Sequence, residues 1–97
     1  MSTSLEKDQA WIGDAVLALY AREWILQNVP ASEDRTETFK RMTCNQFLSG
    51  VGEPTSVEAG IGRVYECEGL QVAFKYIEET LLPLFLKQQN RRKPGRR

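Results

Sequence analysis

Residues 6–28 constrain this chain more than any other stretch, because apolar side chains surround much of the helix they would form. Trp11, Ile12, Val16, Leu17, Leu19, Tyr20, Trp24, Ile25 and Leu26 leave it no wholly polar face. A helix apolar on all sides is covered on most of them. The chain has 97 residues, enough for one small core, so such a helix is either central to the fold or shared with a second subunit. The spacing predicts helix from about Glu6, capped by Ser4, to Asn28. There Val29-Pro30 stops it, since the residue before a proline avoids the helical region.

Within that helix, Gly13-Asp14 is a costly pair. Glycine loses about 1 kcal/mol against alanine in a helix interior, and aspartate is also a weak helix former. Ala10, Asp14 and Ala18 are four apart, with Ala21 close by, so small residues flank the carboxylate and let a second helix approach it. A second helix is expected from a Ser32 cap, with Glu33 and Asp34 in its first turn, to about Leu48. Ser49 to Pro54 forms a turn, with Pro54 at the first position of a third helix over about 55–68. That helix repeats the unusual pattern: Glu58 and Gly62 are four apart, beside Thr55 and Ala59. Two such stripes can cross closely and bring two carboxylates to one point. Gly69 ends it, and a fourth helix over about 70–89 is expected to kink at Pro83. The expected class is all-α, with about four to five helices in residues 1–88 and a basic tail over 89–97, disordered until bound.

Composition narrows the chemistry. There is no histidine, which excludes Ser-His and Cys-His catalysis and removes the commonest transition-metal ligand. Cys44 and Cys67 are too few and too far apart for a disulfide framework, and read as reduced, partly buried small hydrophobes. Carboxylates remain, and they suit a hard cation such as Mg²⁺. Net charge is zero but uneven: Arg91, Arg92, Lys93, Arg96 and Arg97 leave eight basic against 13 acidic residues in 1–90. An acidic body with a basic end points to a polyanionic partner held by those five residues. No apolar run is long enough to span a bilayer and no signal peptide begins the chain, so a cytoplasmic protein without a membrane partner is expected.

Two segments resemble a known family. Trp11-Ile12-Gly13-Asp14-Ala15-Val16-Leu17 resembles the signature helix of ribonuclease III, and Val57-Glu58-Ala59-Gly60-Ile61-Gly62-Arg63-Val64-Tyr65 its second motif. Asn45-Gln46-Phe47-Leu48 is similar to the Asn-x-x-Leu helix that lies between them in the family. Ala10 and Thr55, where full-length members carry acids, are similar to the Mini-ribonuclease III branch, a nuclease domain without the double-stranded-RNA-binding domain. Only 44 positions separate Asp14 from Glu58, so the middle segment is shortened relative to both branches.

The resemblance implies a ribonuclease III-like endonuclease domain and a homodimer with Trp11 docked into a socket on the partner. It also implies cleavage of double-stranded RNA that leaves 5′-phosphate and 3′-hydroxyl ends, with ribosomal-RNA maturation the role in the branch that the chain resembles. Asp14 and Glu58 would be both the catalytic residues and the ligands of Mg²⁺ or Mn²⁺. With the middle segment shortened, Arg91, Arg92, Lys93, Arg96 and Arg97 would take over phosphate binding. The alternative is a non-catalytic module of the same type that binds RNA or a ribonucleoprotein.

Overall fold

The computed structural model describes residues 3–92, and they are helical almost throughout. The elements are α1 (Ser4–Asn28), α2 (Arg35–Thr43), α3 (Asn45–Leu48), α4 (Pro54–Glu68), α5 (Leu70–Thr80) and α6 (Leu82–Arg92). The all-α expectation holds, with no strand among the described residues. None of these helices is long and apolar enough to cross a membrane.

Helix α1 is the axis of the molecule: α2, α4 and α5 all pack against it. Its N-cap is Thr3, not Ser4, with the Thr3 hydroxyl accepting the Glu6 backbone N–H at 3.0 Å. It buries Ala10, Gly13, Val16, Leu17, Ala21 and Ile25. The core then gathers Met42 from α2, Phe47 and Leu48 from α3, Ile61 from α4, Ala73 and Ile77 from α5, and Phe85 from α6. Phe85 anchors the far end edge-on, with its ring centroid 5.7 Å from that of Trp24 and 6.1 Å from that of Phe47.

Three boundaries differ from expectation, each for a local reason. The second helix starts at Arg35 because Asp34, not Ser32, caps it, accepting the Glu37 backbone N–H at 3.0 Å. It also breaks at Cys44, which is extended (φ −76°, ψ 158°), so α3 is a separate turn that directs Phe47 and Leu48 inward. The kink expected at Pro83 in the helix over 70–89 is a full division two residues earlier, at Leu81, because Pro83 has no N–H for the Glu79 carbonyl. Helix α6 then continues to Arg92, so residues 89–92 are helical rather than part of a tail, and residues 93–97 lie outside the described part of the chain. The exits from α1 and α4 are as expected: Val29 is extended before Pro30, and Gly69 adopts φ +93°, a conformation that favours glycine. Cys44 and Cys67 are free and exposed, not partly buried.

The apolar circumference of α1 is only partly covered within one chain. Trp11 is 79% exposed, Leu26 65% and Leu19 40%. With Ala15 they form a stripe at i, i+4, i+8 and i+15 on the face turned away from the core.

Candidate functional site

Helices α1 and α4 touch backbone to backbone. A methyl group built on Gly13 would overlap the Glu58 carbonyl oxygen, and one built on Gly62 would overlap the Gln9 carbonyl oxygen. Each glycine thus gives the opposite helix room, and no residue with a Cβ fits either position without moving a main chain. The expected close crossing is present, and the Gly13–Gly62 pair makes it. This explains the cost of glycine in two helix interiors.

The crossing carries the two acidic side chains together. Asp14 follows Gly13 on α1 and is exposed, while Glu58, whose own carbonyl packs on Gly13, is half-buried on α4. Burial pushes the Glu58 carboxyl up to about 7, and the Asp14 charge, a hydrogen bond with Asp14 and the Glu53 charge push in the same direction. The pair is therefore a concentrated negative site at the protein surface.

Glu53 was not singled out in the sequence. It caps α4, its carboxylate accepting the Thr55 and Ser56 backbone N–H groups at 3.2 and 2.9 Å. Those bonds, Ser56's first, hold its carboxyl below the usual range, so its charge persists beside Glu58. The readable signal was an acid directly before Pro54, at a helix start. Ser56 also donates its hydroxyl to Glu6 at 2.9 Å, tying the start of α4 to the first turn of α1.

Two carboxylates facing solvent suit Mg²⁺ or Mn²⁺, which bind through one or two protein acids and leave other positions to water and substrate oxygens. Burial is the main cause of the raised Glu58 carboxyl, and the repulsion by Asp14 that adds to it is what a bound cation would relieve. Among the described residues no group of three or more His, Cys, Asp or Glu side chains gathers for a metal, and Asp14 and Glu58 are the two that could hold one.

The raised Glu58 carboxyl links stability to pH with a definite sign. An unfolded glutamate releases its proton near 4.5, and folded Glu58 near 7. Between those values the folded chain binds more protons, so stability falls as pH rises through that window. The metal-free protein is expected to melt at lower temperature at pH 8 than at pH 5. The loss due to this group is on the order of 1 kcal/mol, reduced by solvent screening of a half-exposed carboxyl. Thermal melts of the parent and Glu58→Gln across pH 4–8 check it: the variant should lose this component, and an identical pH dependence would refute the assignment.

The remaining candidates are dispersed. Trp11 lies one turn before Asp14, on the exposed stripe of α1. Arg91 is exposed near the end of α6, Arg92 is the last helical residue, and Lys93, Arg96 and Arg97 lie outside the described residues. Lys40 and Arg63 are exposed, whereas Arg41 is paired with Glu37 at 3.5 Å. Comparison with protein-family models, curated proteins and solved structures finds no match to this chain.

Proposed function

We propose that this chain is a ribonuclease III-type nuclease domain: a dimeric, Mg²⁺-dependent endonuclease of double-stranded RNA that leaves 5′-phosphate and 3′-hydroxyl ends. The observation that carries the reading is the meeting of Asp14 and Glu58 at a crossing made by two glycines. Two motifs far apart in the chain thus supply one acidic site open to a large substrate. A divalent cation held there would polarise the phosphodiester and offset the charge that develops during its hydrolysis. Asp14 presents its carboxylate at the surface, and Glu58 is protonated below about pH 7 and ionised above it. Cation affinity should therefore rise through neutral pH. The glycine contact fixes both main chains, which holds the two carboxylates in register.

The open stripe of α1 supports the dimer. A tryptophan with 79% of its surface in water offers little to its own core and much to a partner. Trp11→Ala is expected to shift dimer to monomer in sedimentation velocity while leaving the melting temperature of the isolated chain nearly unchanged. A parent that stays monomeric at high concentration would sink this part of the reading.

The activity test is incubation of the protein with a double-stranded RNA in Mg²⁺, in Mn²⁺ and in chelator. Cleavage with either metal and none with chelator supports the enzyme. Salt-sensitive RNA binding with no cutting under any metal supports the non-catalytic module, a reading favoured by the shortened segment between Asp14 and Glu58.

A further inference from the structure

On another side of α1 from Asp14 a groove of about 740 Å³ runs between α1 and α5. Tyr20, Trp24 and Phe74 provide its aromatic wall, and Glu23, Glu78 and Glu79 its acidic rim, with Lys75 the one cation lining it among the described residues. Residues at i, i+3 or i+4, and i+7 of both helices line it, so it is a groove between two fixed helices rather than a loop feature. The ion pair found among the described residues is Arg41–Glu37, so the three glutamates face the groove without a cation within pairing distance there. The negative field is felt at Tyr20, whose hydroxyl is pushed above its ordinary pKa by burial and then by the Glu78 charge.

We propose that this groove is a docking site for an arginine- or lysine-rich peptide segment of a protein partner, a function beyond the nuclease reading and independent of it. Charge complementarity selects the occupant. Three carboxylates repel nucleic-acid phosphates, whereas a guanidinium placed between them stacks on an aromatic side chain and binds a carboxylate through paired N–H groups. The chain already makes such a stack elsewhere on α1, where Arg22 lies 4.4 Å from the centre of the Phe39 ring. Tyr20 to Gln27 spans about 10 Å of helix, room for about three extended peptide residues. Phosphate binding and peptide binding would then occupy separate faces.

The test uses the full chain and a fluorescein-labelled octa-arginine peptide, read by anisotropy at moderate salt. Replacing Glu23, Glu78 and Glu79 together by Gln is expected to weaken binding roughly tenfold or more, since each tenfold is only about 1.4 kcal/mol. Lys75→Gln should tighten it. The control removes three other exposed acids, Glu33, Glu66 and Glu68, and should leave affinity within about twofold. Equal weakening by both triple variants would overturn the proposal in favour of diffuse attraction to an acidic body. So would tenfold tighter binding after deletion of residues 91–97, because the chain's own basic end would then be the occupant. Absence of binding by the parent overturns it outright. None of these readouts involves cleavage, so failure here and failure of the nuclease reading are distinguishable.

Discussion

Gly13→Ala is expected to be the most damaging single-methyl change in this protein. The added carbon would overlap the Glu58 carbonyl oxygen on α4, and the Gly62 backbone nitrogen lies just beyond it. Flexible side chains could rotate away, but two helix backbones must separate. Overpacking of side chains typically costs about 1–3 kcal/mol, and a backbone collision belongs at or above the top of that range. Against the roughly 5–15 kcal/mol that holds a small domain together, a loss of about 3 kcal/mol lowers the melting temperature by about 12–24 °C. Gly62→Ala should behave similarly, because its methyl meets the Gln9 carbonyl oxygen. The exposed Ala15, one turn from Trp11, supplies the comparison: Ala15→Gly should cost only about 1 kcal/mol through helix propensity. Denaturant melts of the three variants settle the matter, and a Gly13→Ala protein as stable as its parent would mean that the crossing is looser than described.

Asp14→Asn and Glu58→Gln are expected to abolish Mg²⁺-dependent cleavage of double-stranded RNA while leaving the fold intact. Each amide keeps the shape of the acid and removes one of the two charges that would hold the cation. Losing several kcal/mol of charge stabilisation corresponds to roughly a thousandfold loss in kcat/KM or more. The stability readout moves the other way. Glu58→Gln removes a half-buried charge that burial, and then repulsion by Asp14, make costly once it is ionised, so the variant should melt at or above the parent temperature at pH 8 without metal. Loss of activity accompanied by unchanged or raised stability separates a ligand role from a structural one. Retention of full activity by either variant would exclude the paired-carboxylate site.

Much of this architecture was readable in order along the chain. The apolar length of residues 6–28, Val29-Pro30, Pro54 and Gly69 each carry local information, and the helices begin or end close to where those residues stand. The misplaced boundaries were decided by competition. Asp34 and Ser32 are both good caps, but Asp34 has Glu37 three residues on, and the Glu37 N–H is the one it binds. Nothing local to Thr43-Cys44-Asn45 demands a break. The break follows from the need to turn Phe47 and Leu48 into a core built by α1, α4 and α6.

The site divides along the same line. Gly13-Asp14 and Glu58 with Gly62 stand out in the sequence because each breaks a helix preference without local compensation. That the two segments meet, and that the contact is glycine against main chain rather than an alanine stripe, depends on the rotation of α4 about its axis. Residues as distant as Ile61 and Ile77 set that rotation by packing into the common core. Trp11 shows the limit of periodicity most clearly, since apolar residues on every side of α1 are equally consistent with burial in one chain or with an open face. Only the way α2, α4 and α5 pack around α1 leaves Trp11, Leu19 and Leu26 in water. The sequence by itself determined the helical class, the long central helix and the identity of the two acids. Tertiary structure alone decided their meeting, the raised Glu58 carboxyl and the uncovered stripe, because all three depend on which helix lies beside which, and spacing along one helix carries no record of its neighbours.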